Sequence, residues 1–562
     1  MALFALATAA VPVAWLTPNH YPPWVSAWSD VLALSGLALA LIACKRSAVV
    51  ATEWAVWVVV GLAVVALQVS FGLIAFSGDG VMAALYIGAF AAATSVGAAA
   101  RLATSAATDT AGFDSFAIAV CAASIASVGV ALVQWTGAVS LGLWGVDMPP
   151  GGRPYGNVAQ PNHLCTIAFL GLCSLALLRE RGRIGVTGLV VGAVWLIFGM
   201  VMTGSRTGWL QMGALVLMAG VLHRRSALRT GALPIAAAVA LYALAVVVWP
   251  AINEALALAP GRAAQEVSSG GTRPLHWAAM VAAIGQEPWL GYGWQQVSVA
   301  QVRTADMQPF VGEYIEHSHN LFLDLLVWNG LPIGLLLCGI LVWWFGSRLA
   351  RCRDATVFWL MAAIAGLAGH AMVEYPLSFA YFLIPMGFWI GAVDAIQGRA
   401  GWSIRAGWLR WGGLAFSAVL AWVAVDYLKA EQGYRLLRLE SARIGVTGLT
   451  TPPPDLQLLT QLEAFQRFAH TEARAGKSAE ELDQMRKVTE RYAYPPSLFR
   501  YALAQGLNGQ PDGAALTLLR LCRIHPRERC DEGREAWPGL QQRHPSLKGV
   551  VYPSARLVHG LK

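Results

Sequence analysis

Apolar residues along this chain come in long unbroken runs, not in alternation. A membrane-crossing helix needs about 20 such residues, with a range near 17–25. Runs of that kind are read at 2–16, 28–44, 53–75, 81–99, 113–136, 162–178, 184–202, 207–222, 231–250, 321–345, 355–373, 377–396 and 408–428. The pattern predicts about thirteen transmembrane helices; the first run is short, and the second and third have soft edges. The first run lacks a basic leading segment and a small-residue cleavage site, so it reads as an anchor and not as a cleaved signal. Continuous runs argue against a β-barrel, whose strands alternate. After residue 428 the pattern turns amphipathic. Tyr501-Ala502-Leu503 through Gly509 to Ala515-Leu516 and His525-Pro526 reads as a helix–turn–helix of tetratricopeptide type, without a second repeat in register. Thr451 to Pro454 is a breaker before it. The expected fold class is therefore all-α: a polytopic membrane helix bundle over 1–428, including a large loop at 252–319, followed by a soluble helical domain over 429–562.

Composition narrows the class further. The 562 residues are 56% hydrophobic and 13% charged, where a soluble domain carries roughly a quarter charged residues. Mean hydropathy is +0.53. An ordinary cytosolic enzyme is excluded, and so is a disordered chain. The formal charge of +8 is spread over short clusters and the tail, with no basic, aromatic-interleaved patch of the kind that reads nucleic acid.

Lys and Arg then set the orientation. One set of connections holds fifteen cations: Lys45, Arg46, Arg101, Arg179, Arg181, Arg183, Arg224, Arg225, Arg229, Arg348, Arg351, Arg353, Arg399, Arg405 and Arg410. The alternate set holds five: Arg153, Arg206, Arg262, Arg273 and Arg303. The positive-inside rule places the first set in the cytoplasm, which puts the N-terminus inside and the tail outside. Nearly all the unusual polar sequence falls on the cation-poor face. It comprises His20-Tyr21-Pro22-Pro23-Trp24, Gly151 to His163, Thr203 to Gly208, the loop 252–319 and Glu374-Tyr375-Pro376. Six of the eight cysteines sit in or beside apolar runs and read as packing residues. Cys522 and Cys530 lie in the tail with seven residues between them, and a periplasmic tail permits a disulfide there.

Three groups of residues could carry chemistry. The first is Glu313-Tyr314-Ile315-Glu316-His317-Ser318-His319-Asn320, directly before the apolar run that starts at Leu321. A His at a helix entry feels the positive end of the dipole, which disfavours its protonated form and leaves a neutral imidazole able to accept a proton. The same pair could simply cap the helix, or bind a metal with the nearby Glu residues, although no third ligand stands at a convincing spacing. The second group is Arg153, Arg206 and Arg273, each at a membrane boundary beside Gly or Pro. A guanidinium grips phosphate oxygens as a bidentate fork, and three on the cation-poor side favour an anion site over snorkelling to headgroups. The third is Gln160-Pro161-Asn162-His163 with Glu374-Tyr375-Pro376-Leu377. These amides suit sugar hydroxyls or a hydroxyl acceptor, or equally helix caps. Tyr375 also suits an interfacial belt, and His370 a hydrogen bond inside the bundle.

In order along the chain come Arg153-Pro154-Tyr155-Gly156-Asn157, Gln160-Pro161-Asn162-His163, Ser205-Arg206-Thr207-Gly208, Pro288-Trp289-Leu290-Gly291-Tyr292-Gly293, His317-Ser318-His319-Asn320 and Glu374-Tyr375-Pro376-Leu377. Together with His20-Tyr21-Pro22-Pro23-Trp24, the set resembles the bacterial O-oligosaccharyltransferases of PglL type, in the superfamily of O-antigen ligases and Wzy polymerases. The resemblance covers roughly residues 15–430. It departs from the pattern at Asp30, where Glu is usual.

The resemblance implies a donor glycan on undecaprenyl pyrophosphate in the periplasmic leaflet of the inner membrane, passed en bloc to a Ser or Thr hydroxyl of a secreted protein such as pilin. It makes His319 the essential His and Arg206 and Arg273 the pyrophosphate ligands, and Gln160 and Tyr375 match positions that matter in the subgroup. On the reading of the residues themselves, His319 is the base, Arg153 joins the pyrophosphate site, and Asn162, His163, His317 and Asn320 orient substrates with Gln160 and Tyr375. No metal and no cofactor are expected. Pyrophosphate leaves without a proton and needs only cationic stabilisation, whereas the acceptor alcohol needs a base. The expected partners are that donor, the acceptor protein and the bilayer, with no nucleic acid. An O-antigen ligase acting on lipid A–core is the nearest competitor. A non-catalytic transporter of lipid-linked glycans is a further one, disfavoured by the lack of evident charges deep in the spans and of internal repeats.

Overall fold

A computed structural model describes residues 2–44, 49–51, 53–102, 111–149, 151–256, 272–308, 310–398, 401–444, 452–554 and 558. Of the residues discussed above, Lys45, Arg46, Arg262, Arg399 and Thr451 lie outside it, as does the side chain of Arg101. Among the described residues, the regular elements are helices apart from one three-residue ladder, in which β1 (Val49–Ala51) pairs antiparallel with β2 (Trp402–Ile404). Among the described residues, six helices are long and apolar enough to cross a membrane, and seven shorter apolar helices occupy the remaining runs. It is a multi-pass membrane protein. The chain divides into two compact units: Met1–Leu62 with Leu85–Ser269 and Leu341–Ala424, and Ala63–Ala84 with Gly270–Ile340 and Val425–Lys562.

The first unit is a bundle built around α6 (Pro161–Glu180), which is buried along nearly its whole length. It packs on α5 (Ala111–Thr136), α7 (Val186–Met202), α8 (Thr207–Leu222) and α13 (Ala355–Ala371). Helices α1 (Ala2–Val13) and α2 (Ala27–Ala43) pack together and on α14 (Ala380–Ile396), and α9 (Ala232–Ala255) lies on α7 and α8. Small residues set the closest approaches. A Cβ at Gly171 would stand 2.5 Å from the Ser124 side chain, and one at Gly366 would stand 2.2 Å from the Phe169 ring. Contacts this close are how helices associate where no water drives them together.

Two buried carboxylates tie this unit together, each near an end of its apolar run. Asp30, fully buried, accepts from Trp24 Nε1 at 3.0 Å, Ser26 Oγ at 2.6 Å, Tyr86 Oη at 3.0 Å and the Ala380 backbone N–H at 2.7 Å. The Pro-Trp segment is thereby fastened to α4 (Ser77–Leu102) and to the start of α14. Asp394 accepts from Arg348 Nε at 2.6 Å and from Trp344 Nε1 at 3.0 Å, and the Arg348 side chain is fully buried. Arg348 is thus a bundle residue and not a loop cation. The pairing did not show in the apolar pattern because the partners lie 46 residues apart. Removing one partner strands the other in low dielectric. Arg348→Met is expected to cost about 3–5 kcal/mol, and Arg348→Met with Asp394→Leu to recover most of it. Melting temperatures of the three detergent-purified proteins check this; equal losses in single and double variants would refute it.

The second unit carries α10 (Arg273–Gln286), α11 (Val297–Thr304), the start of α12 (Leu321–Ala350), the end of α15 (Ala406–Ser441) and the C-terminal helices. The apolar run 321–345 was read as one uninterrupted helix, but α12 breaks at Gly330, at φ +71°. The freed backbone groups are paired within the unit. Tyr292 N–H donates to Val327 O at 2.9 Å, Gly293 N–H to Trp328 O at 3.1 Å, and Leu331 N–H to Pro288 O at 2.7 Å. A Cβ at Gly291 would stand 2.5 Å from Val327 O, and one at Gly330 2.5 Å from the Trp289 carbonyl. The Pro-Trp-Leu-Gly-Tyr-Gly motif is therefore a backbone clasp for a broken helix. Irregular backbone survives in a membrane protein where protein groups satisfy it in this way.

Beyond α15, helices α16 (Thr460–Ala469), α17 (Ala479–Arg491), α18 (Pro495–Leu507), α19 (Pro511–Ile524) and α20 (Arg527–Arg543) pack as successive neighbours. Ser478 caps α17 in a reciprocal box with Glu481, satisfying two otherwise orphaned donors. These helices do not stand apart from the polar loop. Val302 and Ala305 are buried in one apolar cluster with Ala493, Leu498, Leu521, Ile524 and the Cys522–Cys530 disulfide.

Candidate active site

In the first unit, three motifs far apart in sequence meet. Gln160 is the N-cap of α6: its Oε1 accepts from His163 N–H at 2.7 Å, and Pro161 follows at the first helical position. Asn162 then bridges two other segments. Its Nδ2 donates to Glu374 Oε1 at 3.0 Å, and its Oδ1 accepts from Ser205 Oγ at 2.6 Å. Ser205 Oγ in turn accepts from Thr207 N–H at 3.2 Å, at the first residue of α8. The turn before α8 is tight, with Gly204 at φ +55°. Arg153 grips it from outside: Nη1 donates to Thr203 O at 3.2 Å and Gly204 O at 3.3 Å. Arg206 occupies the N-cap position of α8. A guanidinium at a helix N-terminus concentrates positive potential where backbone N–H groups already point outward, an arrangement suited to an anion.

Other expected site residues of this unit face inward. His163 is buried; its Nδ1 is 3.0 Å from Tyr381 Oη, and its ring meets Phe379 and Phe382 edge-on. Tyr375 stacks on Phe379 at 6.0 Å. His370 bonds Thr166 Oγ1 at 2.8 Å, inside the bundle. Gln134, absent from the sequence reading, organises the Arg-Pro-Tyr-Gly-Asn segment. Its Oε1 accepts from the Tyr155 and Gly156 N–H groups at 3.1 and 2.8 Å, and its Nε2 donates to Val146 O and Gly156 O. A lone Gln near the end of an apolar run carries no pattern that could have flagged it.

In the second unit, the loop before α12 is built as a rigid launching point. Asn320 Oδ1 accepts from Phe322 N–H at 3.0 Å and Leu323 N–H at 3.2 Å, capping α12. Asp324, one turn in, accepts from Ser318 N–H at 2.8 Å and lies 3.7 Å from His317 Nδ1. His317 is thus held against a carboxylate. His319 stands between these anchors with left-handed backbone, φ +58°. A residue with a Cβ in that region costs roughly 1–3 kcal/mol and persists where its surroundings over-determine it, commonly at functional sites. Farther back, Tyr314 Oη donates to Arg491 O at 3.0 Å, and the Val311 and Gly312 N–H groups donate to Arg523 O. The C-terminal helices therefore hold the loop that carries His319.

Around His276 stand His319, Glu313 and Arg273. The His276 and His319 rings are 5.9 Å apart between centroids, with planes 31° apart. His276 Nε2 is 3.5 Å from Glu313 Oε2, which also accepts from Thr272 Oγ1 at 2.7 Å. Burial pushes the His276 imidazole below its usual pKa; Glu313 opposes this, and the His319 and Arg273 charges add to it. His276 was missed in the sequence, where Arg273-Pro274-Leu275-His276 gives only an i, i+3 hint at a helix start. Among the described residues, no group of three His, Cys, Asp or Glu side chains is placed to hold a metal ion. In the same unit Cys522 and Cys530 are joined, their Cα atoms 4.7 Å apart.

The chain is similar to known proteins over most of its length. Residues 191–338, which include Arg206, Arg273, His276 and His319, match the O-antigen ligase family. Residues 358–537 match the C-terminal region of the virulence factor membrane-bound polymerase family. A general O-oligosaccharyltransferase from Acinetobacter baylyi is 26% identical over 94% of this chain and 93% of its own. A ComP-specific O-oligosaccharyltransferase from the same organism is 29% identical over 43% of this chain and 44% of its own. With its apolar helices and motif set, the chain is similar to O-oligosaccharyltransferases of the O-antigen ligase superfamily, of PglL type, and it is a glycosyltransferase.

Proposed function

We propose that the protein transfers an oligosaccharide en bloc from undecaprenyl pyrophosphate to a Ser or Thr hydroxyl of a secreted protein, such as pilin, at the periplasmic face of the bacterial inner membrane. The observation that carries the reading is His319, held in left-handed backbone on a loop anchored at both ends, with its ring 5.9 Å from that of His276, which Arg273 adjoins. His319 takes the acceptor's hydroxyl proton. The alkoxide attacks the anomeric carbon, the carbon–oxygen bond to pyrophosphate breaks, and the electron pair leaves on the phosphate oxygen. Arg206, at the α8 N-terminus, and Arg273 meet that charge, while Arg153 holds the turn bearing Arg206. One displacement of this kind inverts the anomeric centre. Gln160, Asn162, His163, Tyr375, His317 and Asn320 orient rather than react.

Supporting the location are the excess of Lys and Arg on alternate connections of thirteen spans, with a cytoplasmic N-terminus, and the disulfide, which suits an oxidising compartment. The tail helices, of tetratricopeptide type, suit a peptide partner, and the two O-oligosaccharyltransferase relatives favour a protein acceptor. The match to the O-antigen ligase family favours a second reading, transfer to lipid A–core. Expression with a lipid-linked glycan in cells offering both pilin and lipid A–core decides between them. Glycosylated pilin with unmodified core is expected; modified core alone would reverse the assignment.

A further inference from the structure

Buried imidazoles usually spend both nitrogens on partners, because an unsatisfied polar atom in the interior costs about 1–3 kcal/mol. His276 is 1% exposed, yet neither ring nitrogen makes a hydrogen bond among the described residues. Nε2 has the Glu313 carboxylate at 3.5 Å. A neutral imidazole beside a carboxylate keeps its proton on the near nitrogen, since only an N–H gains from the negative charge. That leaves Nδ1 as a bare lone pair, and the neighbouring ring is that of His319. The remaining surroundings do not supply another use. Arg273, on the same helix, makes no hydrogen bond to either ring nitrogen of His276. From α11, which packs on α10, Gln301 is engaged with Glu313 O at 2.8 Å and Arg303 with Glu490 at 3.0 Å.

We infer that Glu313, His276 and His319 form an orienting chain, in which Glu313 fixes the tautomer of His276 and His276 accepts the outer N–H of His319. The inference rests on His319 being the base. His276 is a positioning residue: it fixes which nitrogen of His319 is unprotonated toward the acceptor hydroxyl, and it stabilises the imidazolium that forms when the proton moves. This is the logic of a nucleophile, a base and a third group that orients the base, with an alcohol of the acceptor as nucleophile. The spacing is that of a resting site, since such contacts are commonly long until substrates bind.

The test uses the full-length protein in nanodiscs with lipid-linked donor and acceptor protein, comparing His276→Phe, His276→Asn, Glu313→Gln and His319→Ala across pH. His276→Phe is expected to lower kcat at least tenfold, less than the roughly 10²–10⁴-fold that a base itself supplies, with the donor KM unchanged. Without its acceptor, the His319 imidazolium is less stable, so the acid limb of the pH profile moves to lower pH. Glu313→Gln moves the limb in the same direction. His276→Asn, whose side-chain oxygen stands near the Nδ1 position, restores most of kcat and returns the limb. A residue with a packing role alone would lower activity without moving the limb. If His319→Ala is dead while His276→Phe has the wild-type rate, or loses rate with the limb unmoved, the chain is refuted and the base stands. If His319→Ala still transfers glycan, the base reading fails, and the inference with it.

Discussion

His319→Ala is expected to leave the protein expressed and inserted but to reduce glycan transfer by roughly 10²–10⁴-fold, the contribution of a general base. The expectation follows from how the loop is made. Asn320 caps α12 and Asp324 holds the Ser318 backbone, so the residue between them has little freedom. The chain accepts left-handed backbone at His319 and leans on the C-terminal helices through Tyr314, Val311 and Gly312. None of these anchors uses the imidazole, so removing it does not dismantle them. His319→Asn separates chemistry from backbone, because Asn tolerates left-handed φ far better than most residues but takes up no proton. Both variants should be equally inactive, read as the glycosylated fraction of acceptor by mass spectrometry at matched membrane abundance. Activity in the Asn variant with none in the Ala variant would assign His319 a conformational role, and full activity in both would remove the base from the mechanism.

What the chain reveals by pattern is uneven, for physical reasons. Apolar runs mark where helices lie within a few residues, as at 28–44 against Ala27–Ala43 and 184–202 against Val186–Met202. The last run ends at 428, but α15 continues to Ser441, since polarity ends a membrane span without ending a helix. The break in α12 was hidden inside an unbroken apolar run, although Gly330 and Pro332 two residues on were its signal. Motifs dense in amides and hydroxyls proved to be linkers: Asn162 joins Ser205 to Glu374 because a planar amide donates and accepts at once. Buried pairs such as Arg348 with Asp394, and single polar residues such as Gln134 and His276, depend on partners distant in sequence, so no local spacing announces them.

The second large effect concerns the leaving group. Arg206→Lys and Arg273→Lys are each expected to lower kcat/KM for the lipid-linked donor by roughly 10²–10³-fold, as the loss of one donor to developing negative charge does, with the acceptor KM unchanged. Lysine keeps the charge, so retention of activity would mean that charge alone suffices. The expected loss reflects the planar fork that a pyrophosphate oxygen pair matches and an ammonium does not. Arg206 stands at the N-terminus of α8, where Ser205 Oγ takes up the Thr207 N–H and the Arg153 guanidinium clamps the preceding carbonyls. Arg153→Lys should therefore show the same donor-side defect together with a lower melting temperature, since it acts by holding the turn. Arg206→Lys should leave the melting temperature unchanged. Steady-state kinetics with donor and acceptor varied separately make the distinction. A defect confined to the acceptor would move both arginines from the diphosphate to the incoming protein.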